Sequence, residues 1–345
     1  MRRPWLQIGR FALALVGIGL LSIDAGAGTV KRDGPAVTQP APAKKATRRP
    51  AATAKTVRRV PSSAASARAR ELADAKVPKF KLDANGEVVP DLRAAAAIIY
   101  SPESHQVLWE ENSQDQRSIA SITKVMTAIV FLENAADLSE EIKIVPSDVR
   151  GAALTALRTN DRVKASDLLH LLLIPSDNAA ARALARTSPL GYEGFIARMN
   201  ETAVEFGLEN TSYADPSGLN ADNVSSAYDM ARLISYAAEH AQIGPIMRTP
   251  EYSFRTVSPR PRQITVRSTN QLVRAGDVDV VGGKTGFIRN AGYCLASLLR
   301  LPEDGPLLAV VVLGARSNVG RFMETRHLFN WLSTKAQFLS LVPQQ

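Results

Sequence analysis

From about Asp91 onward, the spacing of apolar residues is that of a folded domain. AAAAIIYSPESHQVLWEEN carries two apolar runs on either side of Ser101-Pro102-Glu103-Ser104, which predicts two strands joined by a turn. Near Ser121 the rhythm becomes helical in ITKVMTAIVFLEN. The stretches 168–173, 178–186, 192–206 and 226–240 keep apolar residues at helical spacing. The last third returns to strands: ITVRSTN, VDVVGGKTGF, GYCLASLLR and PLLAVVVLG, the last apolar enough for a central strand. Residues 321–338 close the chain as an amphipathic helix. Strands, a mostly helical middle, more strands and a final helix predict one α+β domain over 91–345, with an antiparallel sheet.

The N-terminal part has a different texture. Arg2, Arg3 and Arg10 precede an apolar run from Phe11 to Ile23, followed by Ala25-Gly26-Ala27. That is the layout of a secretory signal cleaved near Ala27, so residues 1–27 are read as a signal peptide. The run of about 13 residues is short for a membrane span, which needs about 20. Residues 28–90 are then read as a tether. Its Ala/Pro/Lys/Arg-rich core, as in TQPAPAKKATRRPAATAKTVRRVP, offers few large apolar side chains, and its cations repel one another. Such a segment is expected to be disordered and extended.

Charge sharpens this division. The chain carries a net charge of +9, but residues 1–92 hold 17 Lys+Arg against 7 Asp+Glu, leaving 25 against 26 for the rest. The domain itself is nearly neutral, which argues against a nucleic-acid partner, since that needs a basic face on a folded domain. The tether's charge suits an anionic wall polymer or membrane surface, although a solvated linker is the simpler use. The single cysteine, Cys294, lies in an apolar strand pattern and is expected to be a buried, inert thiol.

Three short elements carry candidate chemistry. Ser121-Ile-Thr-Lys124 is an S-x-x-K pattern at a helix start, where positions three apart share a face, so the amine can reach the hydroxyl. A neutral amine, favoured by burial or a nearby cation, would make that serine a nucleophile. About one S-x-x-K is expected by chance in such a chain, so alone it says little. Ser176-Asp177-Asn178 stands at the entry to another helix, where a plain N-cap is the simplest reading. Lys284-Thr285-Gly286 lies in a predicted strand. There the lysine supplies positive charge, the threonine hydroxyl can bind a carboxylate, and the glycine lets the substrate backbone approach closely. Chance gives on the order of 0.05 such triplets. A second S-x-N, Ser268-Thr269-Asn270, lies in a predicted strand and is set aside on that context.

In the order S-x-x-K, S-D-N, K-T-G, the sequence resembles the penicillin-recognising serine enzymes. RSIASITKVMTA, LLLIPSDNAAARALA, ADPSGLNADNVSSAYDMARL and GGKTGFIRNAGYCL are similar to the low-molecular-mass D-alanyl-D-alanine carboxypeptidase/endopeptidase family over most of 93–340. The endopeptidase branch is the better match, because little room follows the last helix for the extra β-domain of many carboxypeptidases. The resemblance implies a β-lactamase/transpeptidase-like fold, with a five-stranded antiparallel sheet flanked by helices and an all-helical insertion.

It also implies roles for individual residues. Ser121 is the nucleophile, Lys124 the base, and Ser176 relays a proton to the leaving amine. Asn178 holds Lys124 and the substrate amide, Lys284 lowers the pKa of the Lys124/Ser176 cluster, and Thr285 binds a substrate carboxylate beside Gly286. The backbone N–H groups of Ser121 and Phe287 form the oxyanion hole. The implied partners are peptidoglycan stem peptides and cross-links, with β-lactams as covalent inhibitors, and the implied location is periplasmic or wall-associated.

No cofactor or metal is called for. The four histidines show no H-x-E or H-E-x-x-H spacing, so a zinc peptidase is set aside, and His170 is read as a packed residue. Asp215 in DPSGLN is read as a turn residue. Two rival readings stay open: a serine β-lactamase, for which no deacylating glutamate can be assigned, and a muropeptide-binding module without turnover.

Overall fold

The computed structural model describes residues 63–134, 137–257 and 260–341. The signal peptide and residues 28–62 of the tether lie outside the described residues. The structure differs from the sequence reading at the domain boundary. Residues 63–90, which composition assigns to the tether, form helix α1 (Ser63–Ala75) and a hairpin of β1 (Phe80–Leu82) and β2 (Val88–Pro90). The hairpin is made by local polar chemistry: the Asp83 carboxylate accepts the N–H groups of Asn85 (2.9 Å) and Glu87 (2.8 Å), and Gly86 takes a φ of 79°. Ala75 and Val89 are the buried apolar contacts, and Arg93 pairs with Asp74 at 2.6 Å.

The main sheet begins with β3 (Ala96–Ser101) and β4 (Gln106–Glu111), joined at the expected turn. The short strand β5 (Arg117–Ser118), a 3₁₀ turn (Ala120–Thr123) and α2 (Lys124–Asn134) follow. Next come β6 (Glu141–Lys143), α3 (Pro146–Val149), β7 (Arg162–Lys164), α4 (Ala165–Leu173), α5 (Asn178–Thr187) and α6 (Gly191–Glu205). After them run β8 (Val224–Ser225), α7 (Ala227–Glu239), α8 (Ile243–Met247), the paired β9 (Glu251–Arg255) and β10 (Gln263–Arg267), and α9 (Gln271–Ala275). The chain then returns to the sheet as β11 (Asp279–Ile288), β12 (Gly292–Arg300) and β13 (Leu307–Ala315), and ends in α10 (Asn318–Leu341).

Five strands in the order β11-β12-β13-β3-β4 form one antiparallel sheet, with α2 to α9 inserted in the chain between its first two strands, β3 and β4, and its last three. Alternation along the strands sorts side chains to two cores. Ala96, Ile98 and Tyr100 of β3 join Ala309, Val311 and Leu313 of β13 against the inserted helices. Ala97 and Ile99 join Leu308, Val310 and Val312 against Phe322, Leu328 and Phe329 of α10. Because both faces of β13 are covered, its sequence is a continuous apolar run rather than an alternating one. This arrangement leaves β11 as an edge strand, so its K-T-G segment has one side turned toward the start of α2.

Candidate active site

Ser121 sits in the 3₁₀ turn that feeds α2, and Lys124 is the first residue of that helix. Ala120, buried, holds a φ of 48° just before the serine, a left-handed conformation that L-residues avoid. Lys124 is fully buried, and its amine uses all three donors. Nζ reaches Ser121 Oγ at 2.9 Å, Asn178 Oδ1 at 2.6 Å and the Ser217 carbonyl. Burial lowers its pKa to about 7, against a smaller upward pull from Asp215 and Asp177. A lysine poised near neutrality beside a serine hydroxyl can take that hydroxyl's proton.

The S-D-N element divides its labour. Asp177, rather than its neighbours, caps α5, its Oδ1 accepting the N–H groups of Ala179 (2.9 Å) and Ala180 (3.1 Å). Its Oδ2 accepts Thr155 Oγ1 and Ala156 N, both at 2.8 Å. Asn178 is thereby free to hold Lys124 through Oδ1, while its Nδ2 donates to the Ala152 carbonyl at 2.8 Å. Ser176, at a φ of 66°, turns its hydroxyl to Lys284, whose Nζ donates to it at 2.7 Å.

On β11, Lys284 is buried and also donates to the Thr285 carbonyl at 3.0 Å. Its pKa lies well below the ordinary lysine value, first through burial and then through repulsion from Lys124 and Arg321. Burial is the largest cause of the lowered pKa at both lysines, and repulsion between the two buried amines acts in the same direction.

Gly286 has a structural reason of its own: a Cβ there would lie 2.6 Å from the Ile119 carbonyl oxygen and 3.2 Å from Ser121 N. Only glycine lets the strand lie this close to the serine turn. Gly286→Ala is therefore expected to overpack the junction, costing about 1–3 kcal/mol of stability. It should slow acylation by a fluorescent penicillin by at least about tenfold, as expected when oxyanion donors are misplaced. Unaltered acylation kinetics in the variant would show that the close approach is irrelevant.

Three features of the site escape a reading by motif. Asp215 is more than a turn residue. Its carboxylate gathers Ser217 Oγ (2.7 Å), Gly218 N (2.8 Å) and Asn223 Nδ2 (3.1 Å), fixing the loop whose Ser217 carbonyl faces Lys124. Thr269 belongs to the triplet set aside on its predicted strand context. The strand ends at Arg267, and Thr269 shares a 2.6 Å hydroxyl contact with Thr285 and lines the same cleft. Arg321 of α10 lies behind β11, donating to the Gly286 carbonyl at 2.9 Å and the Cys294 carbonyl at 3.2 Å. The D-P-S-G and S-T-N polar clusters were the available signals for the first two. Arg321 offers none beyond a cation at the start of a helix.

These groups converge on a cleft of about 320 Å³ lined by Ser121, Ser176, Asn178, Thr285 and Phe287. Cys294 is fully buried, and burial pushes its thiol up to about 11, so it holds no reactive thiolate at neutral pH. His170 stacks on Tyr252, with ring centroids 3.9 Å apart. Among the described residues, no group of three or more His, Cys, Asp or Glu side chains gathers as a metal site.

The fold and this serine–lysine cleft agree with a family match. The model of the D-alanyl-D-alanine carboxypeptidase family covers residues 83–317, and the chain belongs to that family. It is a serine D,D-peptidase acting on peptidoglycan peptides. The chain is 32% identical over 248 residues to the D-alanyl-D-alanine endopeptidase of Escherichia coli, covering 71% of this chain and 79% of that one. It is 33% identical over 249 residues to the endopeptidase of Pseudomonas aeruginosa, covering 71% and 78%. The carboxypeptidase DacC of E. coli is 32% identical over 259 residues, covering 70% of this chain and 62% of its own length. Among solved structures, the Streptomyces K15 DD-transpeptidase superposes with a TM-score of 0.66 at 27% identity, covering 70% of this chain and 97% of that one.

Proposed function

We propose that the protein opens peptidoglycan cross-links as a D-alanyl-D-alanine endopeptidase, through an acyl-enzyme on Ser121. The observation that carries the mechanism is the buried Lys124 amine, with a pKa near 7 and 2.9 Å from Ser121 Oγ. Neutral Lys124 accepts the hydroxyl proton as Oγ attacks the D-alanyl carbonyl carbon. The resulting oxyanion lies between the backbone N–H groups of Ser121 and Phe287, where one such donor is worth about 2.7–4 kcal/mol. Collapse breaks the C–N bond, and the amine leaves with a proton delivered through the Ser176 hydroxyl. Water then attacks the ester as Lys124 takes its proton, and Lys124 returns that proton to Oγ as the C–O bond breaks, releasing the D-alanyl carboxyl product and regenerating Ser121.

Asn178 holds Lys124 and the substrate amide, and Thr285, with Thr269, receives a substrate carboxylate. An anion bound there also favours the charged form of Lys284. The same attack on a β-lactam ring leaves the amine tethered to the acyl group instead of diffusing away, so on the peptidase reading the penicillin adduct is expected to outlast the peptide acyl-enzyme.

The endopeptidase preference is supported by coverage. The alignment spans 79% of the E. coli endopeptidase but 62% of the carboxypeptidase DacC. Incubating the purified protein with monomeric and cross-linked muropeptides, with products identified by mass, tests it. Conversion of dimers to monomers is expected; loss of terminal D-alanine alone would make the protein a carboxypeptidase. Rapid turnover of a chromogenic cephalosporin would favour the β-lactamase reading.

An enzyme of wall peptides works outside the cytoplasm, and the charged, apolar and small-residue layout of residues 1–27 supports export to the periplasm or wall. A mature N-terminus at Gly28 is expected from N-terminal sequencing. A chain still beginning at Met1 in the envelope fraction would overturn cleavage. Among the described residues, no helix is long and apolar enough to cross a membrane.

A further inference from the structure

Arg321 of α10 is a buried cation without a carboxylate. It is 6% exposed, and among the described residues no acidic side chain pairs with its guanidinium. Its donors are spent on the protein instead. Nη1 donates to the Gly286 carbonyl at 2.9 Å and the Cys294 carbonyl at 3.2 Å, and Nη2 donates to Asn318 Oδ1 at 2.5 Å. Nε is buried and has no hydrogen-bond partner. The guanidinium lies over Phe322 and Tyr293, 4.8 and 5.6 Å from their ring centroids. Burial lowers its pKa to about 10, so it remains charged at neutral pH. A buried charge with no ion partner is costly for the fold. Here it is placed behind the segment of β11 that lies against Ser121.

Gly286 and Phe287 share one peptide unit. Its carbonyl oxygen is the one Arg321 holds, and its N–H is one of the two oxyanion donors. In a trans peptide these groups point in opposite directions. The guanidinium therefore stands at one end of the unit and the developing oxyanion at the other. We propose that Arg321 is a positioning residue that fixes and polarises the Gly286–Phe287 peptide, making the Phe287 N–H a stronger and better aimed donor to the oxyanion. This inference rests on the acyl-enzyme reading above. Hydrogen bonds in series strengthen one another by about 10–30%, and a charged donor at the carbonyl end acts more strongly than a neutral one. The benefit grows as charge builds on the reacting oxygen, so it belongs to the transition state and not to one acyl group. Arg321 borders the cleft, but its paired donors face Gly286, Cys294 and Asn318, not a substrate carboxylate.

The test compares benzylpenicillin with its methyl ester, which lacks the free carboxylate, on Arg321→Met and Arg321→Lys. Arg321→Met should lower the second-order acylation rate about tenfold with both compounds, less than the roughly 10²–10³ lost with a whole oxyanion donor. Arg321→Lys keeps a cation and should recover part of the loss with both. The infrared ester stretch of the acyl-enzyme, isotope-labelled at the lactam carbonyl, reports the hole directly. It should rise in frequency in Arg321→Met and lie between the two in Arg321→Lys, which a loss of stability alone does not produce. If Arg321→Met does not fold, Arg321→Lys decides, with equal losses of about threefold for the two compounds. A loss confined to benzylpenicillin would make Arg321 a carboxylate anchor and overturn the inference. An unshifted ester stretch, or no loss with either compound, overturns it too. Failure of the wild-type protein to form any benzylpenicillin adduct overturns the acyl-enzyme reading, and the inference with it.

Discussion

Lys124→Arg is expected to reduce the second-order rate of acylation by a fluorescent penicillin by about a thousandfold at neutral pH, within the usual range for loss of a general base. Arginine keeps a positive charge but holds its proton at any usable pH. The lysine is effective because its site is dry. It is fully buried, burial brings it to about 7, and it reaches Ser121, Asn178 and the Ser217 carbonyl at once. The pH dependence follows with a definite sign. The neutral amine is the base, so the rate should rise with pH through a midpoint near 7 and fall about tenfold per pH unit well below it. The arginine variant should lose this limb. Stopped-flow labelling between pH 5 and 9 checks both points, and a near-wild-type rate for Lys124→Arg would remove Lys124 from the base role.

Ser121→Ala is expected to abolish penicillin labelling altogether, since Ser121 supplies the one hydroxyl that the Lys124 amine reaches among the described residues; its other partners are Asn178 Oδ1 and the Ser217 carbonyl. Ser118→Ala is expected to label normally. Ser118 lies on β5, paired with Val224 of β8, and its buried Oγ has no hydrogen-bond partner. Removing an unsatisfied buried hydroxyl is close to neutral for stability, so the variant should also unfold at the wild-type temperature within about 0.5 kcal/mol. Gel fluorescence of both variants at matched concentration, with unfolding followed by circular dichroism, separates the two serines. Labelling of Ser121→Ala would overturn the assignment.

What could be read from the chain depended on whether a residue's role is local. The five sheet strands were readable because β13 is apolar on both faces and β3 and β4 flank a turn of Ser, Pro and Glu. Ser121 and Lys124 were readable because three-residue spacing at a helix start is itself the geometry. Roles created by tertiary approach were not. Thr269 meets Thr285 only because the chain leaves β10 one residue before the S-T-N triplet, and Arg321 reaches Gly286 only because α10 returns behind β11. The glycine of K-T-G has a reason that sequence misplaces. It admits the strand to the serine turn, with the Ile119 carbonyl 2.6 Å from where a Cβ would stand. Residues 63–90 show the opposite failure. Composition suggests a tether, yet the segment forms a helix and a hairpin, the hairpin closed by one aspartate-centred turn and the end of the helix tied to Arg93 through Asp74.

The most direct test of the acyl-enzyme account is mass spectrometry of the wild-type protein after incubation with benzylpenicillin, followed by proteolysis and peptide mapping. A single covalent adduct is expected, with the modification on Ser121 in the peptide containing SIASITK. An adduct on Ser118 or Ser176, or hydrolysis of the drug and of muropeptides with no adduct at any serine, would contradict it.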